Sequence, residues 1–353
     1  MAPHEDELAD GDPRTCLQAV TAGRDLSAGQ AEALFGRILA GRVSPVLIGA
    51  LLAALRTKGE SAAEIAAAAR VMRAHAARVS TTRRPLVDTC GTGGDFSGTF
   101  NVSTAAAFVV VAAGIPVAKH GNRAASSRCG SADVLEAAGV VIDLDPGAVG
   151  RVLDRVGIGF LFAPNFHPAT RHATAARREI GIRTLFNLLG PLTNPAGAER
   201  QVIGVPAPEL VETMAAVLVD LESEHALVVH GSGGLDEVSV SGTSRVATIC
   251  SGTVEIAELS PGDLGLASFP LADLAGGDAP ASARILRAVL EGRGTEAQSA
   301  FVAANAGAGI LVGGGASTLR AGADRAREIL AAGTSAEILD QLIEASREES
   351  RGE

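Results

Sequence analysis

Tryptophan and tyrosine are absent from the 353 residues, and ten phenylalanines make up the whole aromatic content, 3%. Single-stranded nucleic acid is held by stacking its bases on aromatic platforms, so that mode of binding has little to use here. An excess of positive charge is missing as well. Forty acidic residues against thirty basic ones leave a net charge of −10, which disfavours phosphate backbones and anionic membranes. Cysteine is scarce: Cys16, Cys90, Cys129 and Cys250 are scattered without a C-x-x-C pair. That spacing reads as reduced thiols rather than a disulfide framework or a zinc site. No base is evidently placed beside Cys90 or Cys129, so neither is read as a nucleophile. The longest apolar run, 104–118, falls short of the ~18–20 residues a membrane span needs. The opening MAPHEDELADGDPR is acidic and polar, unlike a signal peptide. The expectation is a soluble, cytoplasmic protein with neither nucleic acid nor membrane as partner.

What is present is a large supply of small apolar side chains. At 47% apolar content, the chain can fill the cores of two ordinary domains. Residues 1–24 carry charges and prolines without periodicity and read as a loose, flexible arm. Residues 25–80 read as a helical domain. Ser27 with Gln30 forms a capping box ahead of an apolar run, Ser44 with Pro45 opens a second helix ended by Gly59, and Ser61 with Glu64 caps a third. The second helix has an apolar face wide enough to require a core or a second subunit to cover it. From 81 to 345 the pattern changes. Strand candidates at 86–89, 115–118, 140–144, 158–162, 201–205, 226–230 and 246–250 alternate with helical patterns. Such alternation predicts an α/β domain with a mostly parallel central sheet. Residues 164–198 interrupt it with Arg171, Arg177, Arg178, Arg183 and the turns Gly190-Pro191 and Asn194-Pro195. After 277 the signal weakens, with helices expected at 281–290 and 322–345.

Residues 86–136 organise the rest. They hold two strand–loop–helix units in succession. In the first, a short apolar strand leads into Gly91-Thr92-Gly93-Gly94-Asp95, and Ser103 and Thr104 follow where a helix can begin. Glycine turns at helix N-termini hold anions, because free N–H groups and the helix dipole point outward. In the second, a strand runs into Lys119-His120-Gly121-Asn122-Arg123, which adds two cations and an amide suited to phosphate or carboxylate. The first loop departs from the dinucleotide fingerprint, since Phe96 stands where its last glycine belongs, and no P-loop lysine follows. In open α/β sheets ligands bind at the carboxyl ends of strands, and both loops fall on that edge.

The ordered set GTGGD, TFNVST, KHGNRAAS and GSAD within this one window resembles the anthranilate phosphoribosyltransferase family, and the likeness runs from about residue 25 to about residue 340. The resemblance implies a small helical domain joined by the 165–198 insertion, which closes over the site, and a larger phosphoribosyl-donor domain. It implies transfer of the phosphoribosyl group of 5-phosphoribosyl 1-pyrophosphate to the amine of anthranilate, a step of tryptophan biosynthesis. The donor would lie among Gly91, Gly93, Gly94, Asp95, Thr99, Asn101, Val102, Ser103 and Thr104 on one side. Lys119, His120, Gly121, Asn122, Arg123, Ala124, Ala125, Ser126, Ser127 and Ser131 would meet it on the other. Gly91, His120, Asn122, Arg177, Gly190 and Pro191 would meet the acceptor, with Arg177 clamping its carboxylate. Asp236 and Glu237, just past a strand, suit Mg²⁺, which takes oxygen ligands and bridges one or two carboxylates to substrate phosphates. Ser103 would serve a second ion, so two per subunit are expected. The family pairs through its helical domain, so a homodimer is expected.

An aniline is uncharged at neutral pH and needs no strong base, so no residue is assigned a covalent or acid/base role. Positioning and leaving-group stabilisation carry the rate. Ser282 stands where the family often has Asn, and 303–309 is unusually rich in glycine. These departures leave open a paralogue acting on a related aromatic amine in secondary metabolism. The rivals are a pyrimidine nucleoside phosphorylase, which shares the architecture, and a non-catalytic relative that binds nucleic acid.

Overall fold

A computed structural model of the chain describes residues 11–95, 97–124 and 128–352. Helix α1 (Pro13–Thr21) starts at the Asp12 side chain, which accepts from the amides of Arg14 and Thr15. It buries Cys16, Ala19 and Val20 and packs on α3. The loose arm expected for 1–24 is therefore ordered from residue 11 on, because so short an amphipathic pattern does not register as periodic. Residues 1–10 lie outside the described residues.

The three capped helices form where their start signals place them: α2 (Ala28–Leu39), α3 (Pro45–Lys58) and α4 (Ala62–Ala74), with both capping boxes made and Gly59 ending α3. Glu64 is buried and occupied on every side. It accepts from the amides of Leu26 and Ser61 and from Lys58 Nζ, at 2.8–2.9 Å. The apolar face of α3, Ile48, Leu51, Leu52 and Leu55, is covered by this chain's own α1 and α9 (Arg171–Ile180). Covering it needs no second subunit. Val46, 81% exposed, and Ile182, 50% exposed, are what remains in the open on that side.

The sheet has seven strands in the order β3-β2-β1-β4-β5-β6-β7. Strands β1 (Val87–Gly91), β2 (Val117–Gly121), β3 (Ile158–Phe162), β4 (Arg200–Gly204) and β5 (His225–Gly231) are parallel, and β6 (Ser244–Cys250) and β7 (Thr253–Leu259) are antiparallel. Strand order reverses between β1 and β4, the switch point at which such sheets open a crevice. Two sequence expectations fail here. Residues 140–144 form no ladder: the amide of Val141 bonds Ser346 Oγ on α15 (Ser335–Arg351), and no strand lies beside it. Strand β7 is absent from the sequence expectation, although Ser251-Gly252, both at positive φ, make the two-residue turn that favours a hairpin.

Alternation along the strands divides the interior. Val202, Leu227, Val229 and Val246 face the core built on α5 (Val102–Ala112) and α13 (Glu296–Val312). Ile203, Ala226, Val228 and Ala247 face a second core shared with the helical domain and α11 (Glu209–Asp220). The glycines of 303–309 are packing glycines. A Cβ on Gly307 would lie 2.5 Å from the Ala323 amide on α14 (Leu319–Ala332), and one on Gly309 would lie 2.6 Å from Val110. The expected helix at 322–345 is two, α14 and α15, broken at Gly333 in the left-handed region. The insertion after β3 carries α8 (Ala163–Phe166), α9 and α10 (Phe186–Leu192). Helix α9 packs on α2 and α3, and α10 packs on α4, β1 and β2.

Candidate functional site

A cleft of about 410 Å³ opens at the carboxyl ends of β1 and β2, between both glycine loops, the segment after β5 and the insertion. A second hollow of about 600 Å³, beside Glu212, His230 and Arg245, shares no residue with it. Its arginine is already paired to Glu212 and Glu258.

The first loop is shaped by what lies against it. A Cβ on Gly91 would stand 2.1 Å from Asp236 Oδ2. The Gly93 amide donates to that oxygen at 2.8 Å. Gly94 sits at φ +82°, and a Cβ there would meet Arg183 Nη1 at 1.5 Å, so only glycine serves. Asp95 accepts from Ser97 Oγ, which in turn touches Thr99 Oγ1 at 3.1 Å. Helix α5 starts at Asn101, whose amide nitrogen donates to Cys129 O rather than capping the helix. Ser103 and Thr104 occupy its first turn and line the cleft. Among the described residues Asn101 Oδ1 and Thr104 Oγ1 are buried without a partner, acceptors that a polar ligand can engage. Val102 does not join them: its side chain is in the core and its amide bonds Phe100 O.

The second unit differs from the expectation. Lys119 and His120 belong to β2 itself, so their side chains leave opposite faces of the sheet. Lys119 is buried. Its Nζ donates to Thr89 O at 2.5 Å and lies 3.5 Å from Ser103 Oγ. Burial lowers its pKa, opposed by Asp88, Cys90 and Glu237. His120 Nδ1 donates to Gly190 O at 2.9 Å, which leaves Nε2 as a lone pair. Burial first, and then the nearby His167 ring, push its pKa down to about 3, so the ring is neutral. Asn122, Arg123, Ala124 and Ser131 line the cleft, but they are bonded among themselves. The Asn122 amide meets Ser131 Oγ, Asn122 Oδ1 accepts from the Arg123 amide, and Asp133 accepts from the Ala124 amide. The Arg123 guanidinium is exposed and paired to Asp133 and Glu136 of α6 (Ser131–Ala138). Ala125, Ser126 and Ser127 lie outside the described residues.

The acidic pair has the character of a cation site. Asp236 is buried and its pKa is pushed up to about 6, by burial first and then by the charge of Asp95. Burial and the adjacent Asp236 hold Glu237 well above the ordinary carboxylate range, opposed by Lys119 and by the Ser103 hydroxyl. Like charges crowded in a low dielectric are what a bound divalent ion relieves. The donor set, two carboxylates and a hydroxyl, is oxygen throughout and fits Mg²⁺. Among the described residues no three His, Cys, Asp or Glu side chains converge, the arrangement a zinc site would use. Asn305 of α13 holds the segment in place: its Oδ1 accepts from the Val238 amide at 2.8 Å and its Nδ2 donates to Val238 O at 3.0 Å.

The insertion supplies two further cations. Arg177 packs its guanidinium 4.9 Å from the centre of the Phe186 ring, not on Glu179. Among the described residues it has no ion pair, and burial lowers its pKa. Arg178 is exposed. Arg183 reaches the first loop, with Nη2 3.4 Å from Thr92 O. The peptide groups of 190–192 are fixed by the sheet and by α4: Gly190 O by His120, Pro191 O by Gln201 Nε2 at 2.6 Å, and Leu192 O by Arg73 Nε at 2.7 Å. Behind them Asn194 Nδ2 bridges the buried Asp88 carboxylate and Ala118 O. Sequence reasoning misses Arg183, Asn305, Asp88 and Asn194 as site residues. Each acts on a partner more than 60 residues away, and no local pattern marks such a contact.

Cys90 is held above its ordinary pKa by burial, and Cys16 is pushed up to about 11. Burial disfavours the thiolate of each. No helix among the described residues is long and apolar enough to cross a membrane.

Two family models match the chain: the glycosyl transferase family a/b domain over residues 83–336 and the glycosyl transferase family helical bundle domain over residues 14–76. An anthranilate phosphoribosyltransferase of Halorhodospira halophila is 48% identical over 339 residues, 96% of this chain and 99% of the relative. The crystal structure of the Thermus thermophilus enzyme of that name superposes with a TM-score of 0.89 at 44% identity, covering 94% of this chain and 99% of that one. The Saccharomyces cerevisiae enzyme, solved in complex with PRPP and Mg, superposes with a TM-score of 0.83 at 27% identity, over 96% and 99% of the two chains. The yeast enzyme has also been solved with 4-fluoroanthranilate.

Proposed function

This chain belongs to the anthranilate phosphoribosyltransferase family, and from that membership we propose how its cleft works. The enzyme transfers the phosphoribosyl group of 5-phosphoribosyl 1-pyrophosphate to the amine of anthranilate, yielding N-(5-phosphoribosyl)anthranilate and pyrophosphate for tryptophan biosynthesis. The ribose C1–O bond breaks with its electron pair remaining on the diphosphate. The amine nitrogen forms the new bond to C1 and releases its proton to water.

The donor lies between the two loops. Gly91, Gly93, Gly94 and Asp95, with Thr99, Asn101, Ser103 and Thr104, take its diphosphate. Asn122 and Ser131, with the 124–127 segment, take its sugar phosphate. Lys119 acts from beneath, as a buried positive charge beside Ser103 and Glu237. Asp236, Glu237 and Ser103 would hold Mg²⁺, two ions per protomer. Bound there, the metal neutralises charge building on the departing diphosphate. Arg177 takes the acceptor carboxylate with its planar fork, beside Gly190, Pro191 and His120. Neutral His120 offers Nε2 as an acceptor for the amine's N–H, and this orients the nitrogen lone pair toward C1. These roles act by positioning and charge, and no residue needs to exchange a proton with the substrate.

The observation that carries the reading is the crowded acidic pair, Asp236 and Glu237, held against the glycine loop. No feature of the cleft favours the paralogue, and relatives matching nearly the whole chain carry the anthranilate activity in their names. The enzyme is further proposed to work in the cytoplasm, supported by its four free thiols, and as a homodimer in which exposed Val46 and Ile182 meet the second subunit. Loss of anthranilate fluorescence on adding 5-phosphoribosyl 1-pyrophosphate, with and without Mg²⁺, tests the assignment. Rapid, Mg²⁺-dependent consumption is expected. Slow use of anthranilate beside fast use of another aromatic amine would overturn it.

A further inference from the structure

We propose that Arg183 is a direct contact for the pyrophosphate part of the donor, reaching it from the insertion across the first glycine loop. This rests on the donor reading above and adds a residue to it. Arg183 lies between α9 and α10, yet its guanidinium crosses to the far wall. Nη1 fills the space over the Gly94 Cα, 1.5 Å from where a Cβ would stand, and Nη2 donates to Thr92 O at 3.4 Å. A guanidinium has five donors. Among the described residues this one makes that single long bond and has no carboxylate within ion-pair distance, although Asp236 and Asp95 stand near enough to act on its charge. The side chain is half-buried and lines the cleft. A partly desolvated cation with unused, planar donors is incomplete without an anion.

Three anionic groups enter this cleft: the diphosphate, the sugar phosphate, which the second loop takes, and the acceptor carboxylate. Arg183 sits on the loop whose Gly93 amide is bonded to Asp236, the diphosphate side. Arg177, stacked on Phe186, is on the insertion's own wall. When the C1–O bond breaks, its electron pair stays on the diphosphate oxygen and the charge there increases. A cation fixed beside it binds the transition state more tightly than the ground state. The contact also joins the insertion to the donor loop.

The test compares Arg183→Gln, Arg183→Lys and Arg177→Gln with the wild-type enzyme. Calorimetry reads the binding of inorganic pyrophosphate with Mg²⁺, steady-state kinetics gives KM for each substrate, and melting temperatures report the fold. Arg183→Gln is expected to weaken pyrophosphate binding roughly 10- to 100-fold, the scale of a lost charge-assisted hydrogen bond. Its kcat/KM for the donor should fall at least as far, with KM for anthranilate unmoved. Arg183→Lys keeps the charge without the fork and should fall between. Arg177→Gln should show the opposite split. Pyrophosphate binding by Arg183→Gln equal to wild type, or a loss confined to anthranilate, overturns the proposal. If Arg183→Gln melts early, the lysine variant decides: wild-type pyrophosphate affinity in it, with wild-type kinetics, overturns the fork contact. Failure of the wild-type enzyme itself to bind pyrophosphate would instead defeat the donor reading, and this proposal with it.

Discussion

Among the described residues five cations line one cleft; Arg128 is exposed at its edge, and the other four divide by the segment that carries them. Lys119 and Arg123 come from the second sheet unit, and both are satisfied by protein. Lys119 is buried against Thr89 O and Ser103, and Arg123 is paired to Asp133 and Glu136. Arg177 and Arg183 come from the insertion. Among the described residues neither has an acidic partner, and burial disfavours the charge of each. Lys119 and Arg123 hold the loops in shape, and the insertion's cations await the anions of the substrates. A motif rich in basic residues is therefore not, by composition alone, the place where the substrate's charge is met.

The largest effect is expected at the acidic pair, which Lys119 and Arg183 approach. Joint replacement Asp236→Asn with Glu237→Gln should abolish turnover, by about 1,000-fold or more, since neutralising the charge on the leaving diphosphate does most to lower the barrier. The ligand-free fold should melt no lower, because two crowded charges are removed. Full activity in that variant would remove the metal assignment. Next in size is Arg177→Gln, which should raise KM for anthranilate by roughly 10- to 100-fold and leave donor binding intact. An equal loss for both substrates would erase the division of the insertion's two arginines.

The acidic pair also makes metal binding depend on pH. Asp236 titrates at about 6 in the fold, against an ordinary 3.8. Because its folded pKa is raised, the ionised carboxylate costs the ligand-free protein stability. That cost is absent below about pH 4, grows between about 4 and 6, and is complete above. Mg²⁺ takes the ionised form, so its affinity should fall by at least about tenfold per pH unit below 6. Melting with and without Mg²⁺ at pH 8 and pH 5 measures this. A larger Mg²⁺-induced rise is expected at pH 8, and equal rises would take Asp236 out of the site. The smallest effect is predicted for Arg123→Gln. An exposed, solvent-screened ion pair contributes little, so kcat/KM should drop by no more than about tenfold. A loss as deep as that of Arg177→Gln would break the comparison from the other side.

Much of this arrangement is legible in the sequence because its signals are local. Three capped helices, two glycine loops at strand ends and an acidic pair after a strand each sit within a few residues of their own evidence. Two errors share a cause. Residues 140–144 look like a strand but have no strand neighbour among the described residues, and β7 (Thr253–Leu259) is a short edge strand, exposed on both faces, that pairs only through its hairpin with β6. Lys119 and His120 read as loop residues because the apolar run stops at Ala118, whereas β2 continues to Gly121. Arg183, Asn305 and the Asp88–Asn194 pair are out of reach, since their meaning comes from partners brought together only by the fold.

The most direct measurement is a crystal structure of this enzyme soaked with 5-phosphoribosyl 1-pyrophosphate and Mg²⁺. The account predicts donor density between the two loops, metal on Asp236 and Glu237, and both insertion arginines turned onto substrate anions or the space for them. Arg123 should remain on Glu136. Donor density elsewhere, or metal bound away from that acidic pair, would contradict it.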